Sequence, residues 1–166
     1  MTSLELWVDH SKRGLQEPLP IPFGTSRCFD IKSGIVQPKP LPQIRINEGD
    51  GHLFDEQDRL VGAHICMRKP EDITKAISLV GSVGWLLLDF YMDWIQIPCE
   101  NVIAAAQGSP TRICVRPTKV DDIAGVAFAL QTGVDALLLD PADDAMWTEA
   151  RLVQTRKDAS RQTDGA

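Results

Sequence analysis

Charged residues recur wherever an apolar run of this chain stops. Arg68 and Lys69 follow LVGAHICM, Asp89 and Asp93 with Trp94 close and follow WLLLDF, Arg116 and Lys119 follow RICV, and Asp140 and Asp143 follow DALLL. If those runs are parallel strands, their C-terminal ends share one edge, where ligands of α/β proteins bind. A rim of mixed cations and carboxylates suits a polar small molecule carrying both charge types and supplies a general acid or base. On this reading Lys69 and Arg116 are candidate catalytic cations, with Asp89 and Asp140 as binding carboxylates. The structural alternative is that strand ends carry charge to meet water and that Asp140 or Asp143 caps the next helix.

The elements that must place these residues are legible from Leu60 onward. Each unit is a strand-like run, a charged or proline-containing break and an amphipathic run. LVGAHICM precedes RKPED, where Pro70 suits a first helical turn and Glu71 and Asp72 favour its positive end. Ile73, Ile77 and Val80 then mark one helical face. WLLLDF precedes ENVIAAAQ, closed by Gly108. TRICVRP precedes KVDDIAGVAFALQT, which bears Ile123, Val126, Ala127 and Leu130 and stops at Gly133. VDALLLDP precedes a last helix from Ala142 to about Arg156. Strands beginning about 25 residues apart, continuously apolar, predict the α/β class with parallel βα repeats. Four such units are too few to close a barrel, so the expected architecture is a partial, TIM-barrel-like (βα) array. An open edge of such a sheet is a route to self-association.

Residues 1–52 read differently. Six of the eleven prolines lie before residue 43, in EPLPIPFG and QPKPLP, and no clean period survives there. The expected organisation is an irregular segment over 1–52, a βα-repeat domain over 53–156 and a polar tail over 157–166.

Composition narrows the function classes. The net charge is −6 with a pI of about 5.0, and the basic residues are scattered, which excludes a face for nucleic acid. Cys28, Cys66, Cys99 and Cys114 form no CxxC pair and have no histidine at ligand spacing, so no metal is expected and the thiols read as free. His64 lies inside a strand-like run and reads as a packed core residue. No run reaches the ~18 residues of a membrane span, and MTSLELWVDH has no secretory pattern, so the cytoplasm is expected, or a plastid if the N-terminus is incomplete. Neither a Walker loop nor a GxGxxG fingerprint occurs.

The stretch DWIQIPCENVIAAAQG, residues 93–108, closely resembles the DWKxIPxENLIAALQG segment of the type II 3-dehydroquinate synthases. LFDEQDRLVGAHICMRKPEDI and GVDALLLDPADD resemble family segments on either side, so the likeness runs from about Leu53 to about Trp147 in unbroken order. The resemblance implies NAD-dependent oxidative deamination of 2-amino-3,7-dideoxy-D-threo-hept-6-ulosonate, followed by cyclisation to 3-dehydroquinate. Asp93, Trp94, Glu100 and Asn101 take the motif positions: Asp93 for a base or polar contact, Trp94 packed beside it, and Asn101 for a ligand hydrogen bond or a helix cap. Family members carry a second half with GDRVCVDTC-like and RPFRVNAGA-like stretches that this chain lacks. Three readings follow: an enzyme or enzyme portion of that family, inactive if truncated; a non-catalytic βα binding or assembly module derived from it; or an incomplete gene product.

Overall fold

A computed structural model describes residues 3–12, 14–93 and 95–164. Its centre is a closed eight-stranded barrel, which overturns the partial, TIM-barrel-like array of parallel βα repeats. The strands are β1 (Glu5–Asp9), β2 (Arg27–Ile31), β3 (Gln43–Ile46), β4 (His52–Phe54), β5 (Leu60–Met67), β6 (Trp85–Phe90), β7 (Arg112–Arg116) and β8 (Ala136–Leu139). The helices are α1 (Pro70–Leu79), α2 (Gln96–Ala106), α3 (Asp121–Ala127) and α4 (Asp144–Asp164). Neighbouring strands are parallel except at β4, which runs against both β3 and β5, so the sheet is mixed. β1 pairs with β8 and closes it.

The missing strands came from the proline-rich text. β1, β2 and β3 are joined by residues 10–26 and 32–42, which carry the six early prolines and, among the described residues, contain no helix. A parallel connection needs a crossover of about a dozen residues, and that crossover is usually helical. Here extended loops do it, and the three-residue β4 fills the gap before β5. Closure removes the open edge on which the expected self-association depended.

Side chains alternate between lumen and outer face, as the period of two requires. Trp7, Phe29, Ile44, Leu53, Trp85, Leu87, Cys114 and Leu138 fill the lumen. Leu6, Val8, Leu86, Leu88, Ile113, Val115, Leu137 and Leu139 pack outward with the helices' Val102, Ile123, Val126, Trp147 and Val153. Strands β6 and β8 are therefore buried on both faces, which is why they read as continuous runs. Trp7 and Trp85 meet edge to face at 4.7 Å in the lumen.

Three helix boundaries differ from the sequence reading, the plainest being α4, which runs on to Asp164 past the expected end near Arg156. α2 begins at Gln96 rather than near Glu100, because Pro98 is accommodated in the first turn, where no amide partner is needed. α3 stops at Ala127, and Leu130 and Gln131 take φ of 52° and 69° before Gly133 turns the chain into β8. On α1, Ala76 is the fully buried contact and Ile77 is exposed, so the expected stripe is rotated. No helix among the described residues is long and apolar enough to cross a membrane.

If β1 belongs to the same cooperative unit as the βα repeats, Trp7→Ala should lower global stability by about 3–5 kcal/mol. Urea denaturation followed by helical circular dichroism checks this. An unchanged midpoint would mean that the N-terminal strands are separable.

Candidate functional site

Seven strands point their C-terminal ends at one mouth, and the inward residues there are charged. Asp9 ends β1, Asp89 lies near the end of β6, Arg116 ends β7 and His64 lies in β5. Arg116 Nη1 donates to Asp9 Oδ2 at 2.8 Å, and its Nε lies 3.3 Å from Asp89 Oδ1. His64 Nε2 lies 3.2 Å from Asp89 Oδ2. An ionised carboxylate only accepts, so Nε2 carries the proton and Nδ1 is the nitrogen able to take one. Asp9 is further held by the Ser11 backbone N–H at 2.8 Å. The four groups form a chain, Asp9, Arg116, Asp89, His64, across the top of the lumen.

Burial sets their electrostatics. It pushes the Asp89 carboxyl up, but the His64 hydrogen bond and the Arg116 charge together outweigh it and hold Asp89 below its ordinary value. Burial opposes the Arg116 charge too, and Asp9 and Asp89 override it, raising Arg116 further. The negative charge of Asp89, with burial, raises the Tyr91 hydroxyl at the same rim. Arg68 lies over the Tyr91 ring at 4.6 Å. Lys12 pairs with Asp140, and this pairing is the main cause that lowers the Asp140 carboxyl. On the other flank Lys39 donates to Asp30 at 2.8 Å and to His10 Nδ1 at 3.2 Å, while His10 Nε2 donates to the Pro20 carbonyl at 2.7 Å.

The expected site residues separate into two groups. Asp89 and Arg116 come together in the lumen, and Asp140 joins the rim through Lys12. Lys69 is exposed at the α1 start, where its N–H and that of Arg68 donate to Asp72 at 3.0 and 2.8 Å. Asp93 is exposed in the bend after β6, and Trp94 lies outside the described residues. Glu100 accepts from Gln96 at 2.9 Å within α2, and Asn101 is exposed on the body of that helix, away from its cap. Asp143 caps α4, accepting the Met146 N–H at 3.1 Å.

Asp9, His10, Lys12 and Lys39 belong to the segment whose strands were not legible, so they were missed. His64 was read as core, yet it faces the mouth. The signal was available: in LVGAHICM, glycine, histidine and cysteine occupy alternate positions, the face opposite Ile65 and Met67. Burial pushes the Cys99 thiol up to about 12 and that of Cys114 well above its usual value, so both are inert core residues.

Replacing Arg116 by methionine leaves two buried carboxylates without the cation they share. A loss of about 3–5 kcal/mol at neutral pH is expected in urea denaturation. In the native chain the depressed Asp89 contributes stability that is full above the ordinary Asp value, ~3.9, and is lost as pH falls through its lower folded value. In Arg116→Met the carboxylates should instead recover stability on protonation, so the gap between variant and parent narrows on acidification. A gap that is constant with pH would refute the clamp.

Comparison with known proteins follows the same boundaries. The profile of the 3-dehydroquinate synthase II N-terminal domain matches residues 29–152, starting within β2 and earlier than the motif likeness alone. The 3-dehydroquinate synthase of Methanothrix thermoacetophila is 34% identical over 105 residues, 62% of this chain and 28% of that protein. Its counterparts in Methanocella arvoryzae and Methanothermobacter thermautotrophicus are 36% and 31% identical over 66 and 90 residues, covering 18% and 24% of their lengths. The chain thus matches about a quarter of the length of these curated relatives. No solved structure matches it. With the profile spanning most of the barrel and its helices, the chain belongs to the 3-dehydroquinate synthase II family.

Proposed function

We propose that the barrel mouth binds the amino-heptulosonate substrate of a 3-dehydroquinate synthase II reaction and supplies its proton-transfer residues. The observation that supports this is the half-buried chain Asp9, Arg116, Asp89, His64 at the barrel mouth of a family member. The reaction removes hydride from the carbon bearing the amine, loses ammonia to water, and closes the ring by attack of a carbon adjacent to a carbonyl on a second carbonyl. NAD, when bound, supplies the hydride acceptor.

The remaining tasks fall to this chain. His64 Nδ1 takes the proton from the carbon that becomes nucleophilic, and Asp89 holds Nε2–H and stabilises the imidazolium that forms. Asp89 stays ionised well below neutral pH, so this orientation survives across the working range. Arg116 keeps the two carboxylates apart and fixed, and Lys12 places a positive charge at the rim for a developing enolate. Lys69 and Asp93, exposed beyond β5 and β6, meet a ligand as it enters.

The fit to NAD is to side chains rather than to backbone amides. The N–H groups at the start of α1 are taken by Asp72, and the start of α4 is capped by Asp143. Arg68 and Lys12, cations at the mouth, are the residues that would hold its phosphates.

The test is calorimetric titration with NAD and the amino-heptulosonate, with turnover followed by NADH absorbance, on the parent chain, His64→Gln and Asp93→Ala. Saturable binding is expected throughout, weaker in Asp93→Ala. Turnover should fall about 100-fold or more in His64→Gln with substrate binding kept. A folded chain that binds neither compound, or a His64→Gln variant with undiminished turnover, overturns the proposal.

A further inference from the structure

Beside the mouth, on the outer face of β2 and β3, residues 32–42 cover a cleft of about 340 Å³, at the small end of ligand pockets. Its wall includes Lys12, Asp30, Ser33, Gln43 and Arg45. Arg45 is the unusual member. Its side chain is 3% exposed, and only Nη2 is engaged, donating to the Asp55 carbonyl at 3.0 Å and pairing with Asp58. Nε and Nη1 are buried without a hydrogen-bond acceptor. Native structures rarely leave such donors bare, because removing an N–H from water without an acceptor is costly.

The surroundings hold Arg45 in place without completing it. Asp55 accepts from the N–H groups of Gln57 and Arg59 and from Arg59 Nε, which shapes the β4–β5 turn, and Asp58 sits there at a φ of 61°. A turn so organised presents one carbonyl and one carboxylate to a single nitrogen of Arg45. The nearby carboxylates are already committed: Asp30 to Lys39 and the Ile31 N–H, Asp58 to Arg45 Nη2 and Lys32, Asp140 to Lys12. The groups left unmatched at this wall are donors, Nε and Nη1 of Arg45, and Lys12, paired on its other side with Asp140, adds a half-exposed cation.

We propose that this cleft is an oxyanion subsite, in which Arg45 and Lys12 hold a carboxylate or phosphate group of a small ligand. The cleft commits to acceptor chemistry because an amine or a metal ion would meet donors. Its size suits the acid end of one small molecule and excludes a whole dinucleotide. The subsite shares Lys12 with the mouth and is set apart by Arg45, which the proposed reaction does not use, so either proposal can fail alone.

The test follows the Arg45 Nε–H resonance by ¹⁵N NMR, with binding heat, during separate titrations of sodium phosphate and sodium glycolate at constant ionic strength kept by chloride. Saturable binding with movement of that resonance is expected for at least one anion, and which one it is identifies the group. Arg45→Lys, which keeps charge but loses the planar fork, should weaken binding about tenfold or more, and Lys12→Ala several-fold. Lys75→Ala, on exposed α1, should match the parent. If Arg45→Lys does not fold, the parent resonance and Lys12→Ala decide. No saturation by either anion, an equal shift with chloride, or unchanged binding in the folded variants overturns the subsite.

Discussion

The clamp of Arg116 between Asp9 and Asp89 is the constraint on which the rest of this structure depends. It joins β1, β6 and β7 across the lumen, linking the first strand of the chain to strands more than 75 residues further along. A partly buried cation between two buried carboxylates is tolerable only when each charge finds its partners, because desolvation otherwise exceeds attraction. Strand closure and charge satisfaction are therefore the same event. If β1 is displaced, Asp9 leaves and Arg116 loses its better-placed partner.

The lumen beneath the clamp is layered. At the opposite end Glu5 receives Arg27 at 2.6 Å and Arg112 at 3.4 Å, and both guanidiniums lie against the Trp85 ring. Between these charged layers lie Trp7, Phe29, Leu87, Cys114 and Leu138. Arginines of β7 thus appear in both layers, at 112 and 116, separated by the buried Cys114, as alternation along one inward face requires. The apolar middle fixes the spacing of the strands, and the upper charged layer is where that rigidity becomes useful: His64 and Asp89 are aligned by packing below them rather than by flexible loops above.

Legibility in the sequence divided sharply. β5 and β6 were readable to the residue, β6 because a strand buried on both faces is a continuous apolar run and β5 because its uncharged run ends at Arg68. Asp89 and Arg116 were readable as charges of the mouth because they end such runs. β2 and β3 were not: they are short, their outward faces carry Asp30, Gln43 and Arg45, and prolines rather than helices separate them. The architecture was misjudged for the same reason, since four visible units cannot close a barrel and eight strands can. Lys69, Asp93, Glu100 and Asn101 were selected by chain position near strand ends or by motif, and position alone does not say whether a side chain turns inward.

By itself the sequence determined the family, the order of the later strands and helices, and the presence of opposite charges at their ends. These follow from local pattern and from the DW-x-x-IP-x-EN stretch, which no distant contact is needed to recognise. The tertiary structure alone decided that the proline-rich segment supplies the closing strands, that Asp9 meets Arg116, that His64 faces the mouth, and that two Arg45 nitrogens stay unmatched. The physical reason is that a charge has no fixed role until its partners are known, and here those partners lie on strands distant in the chain, brought together only when the sheet closes.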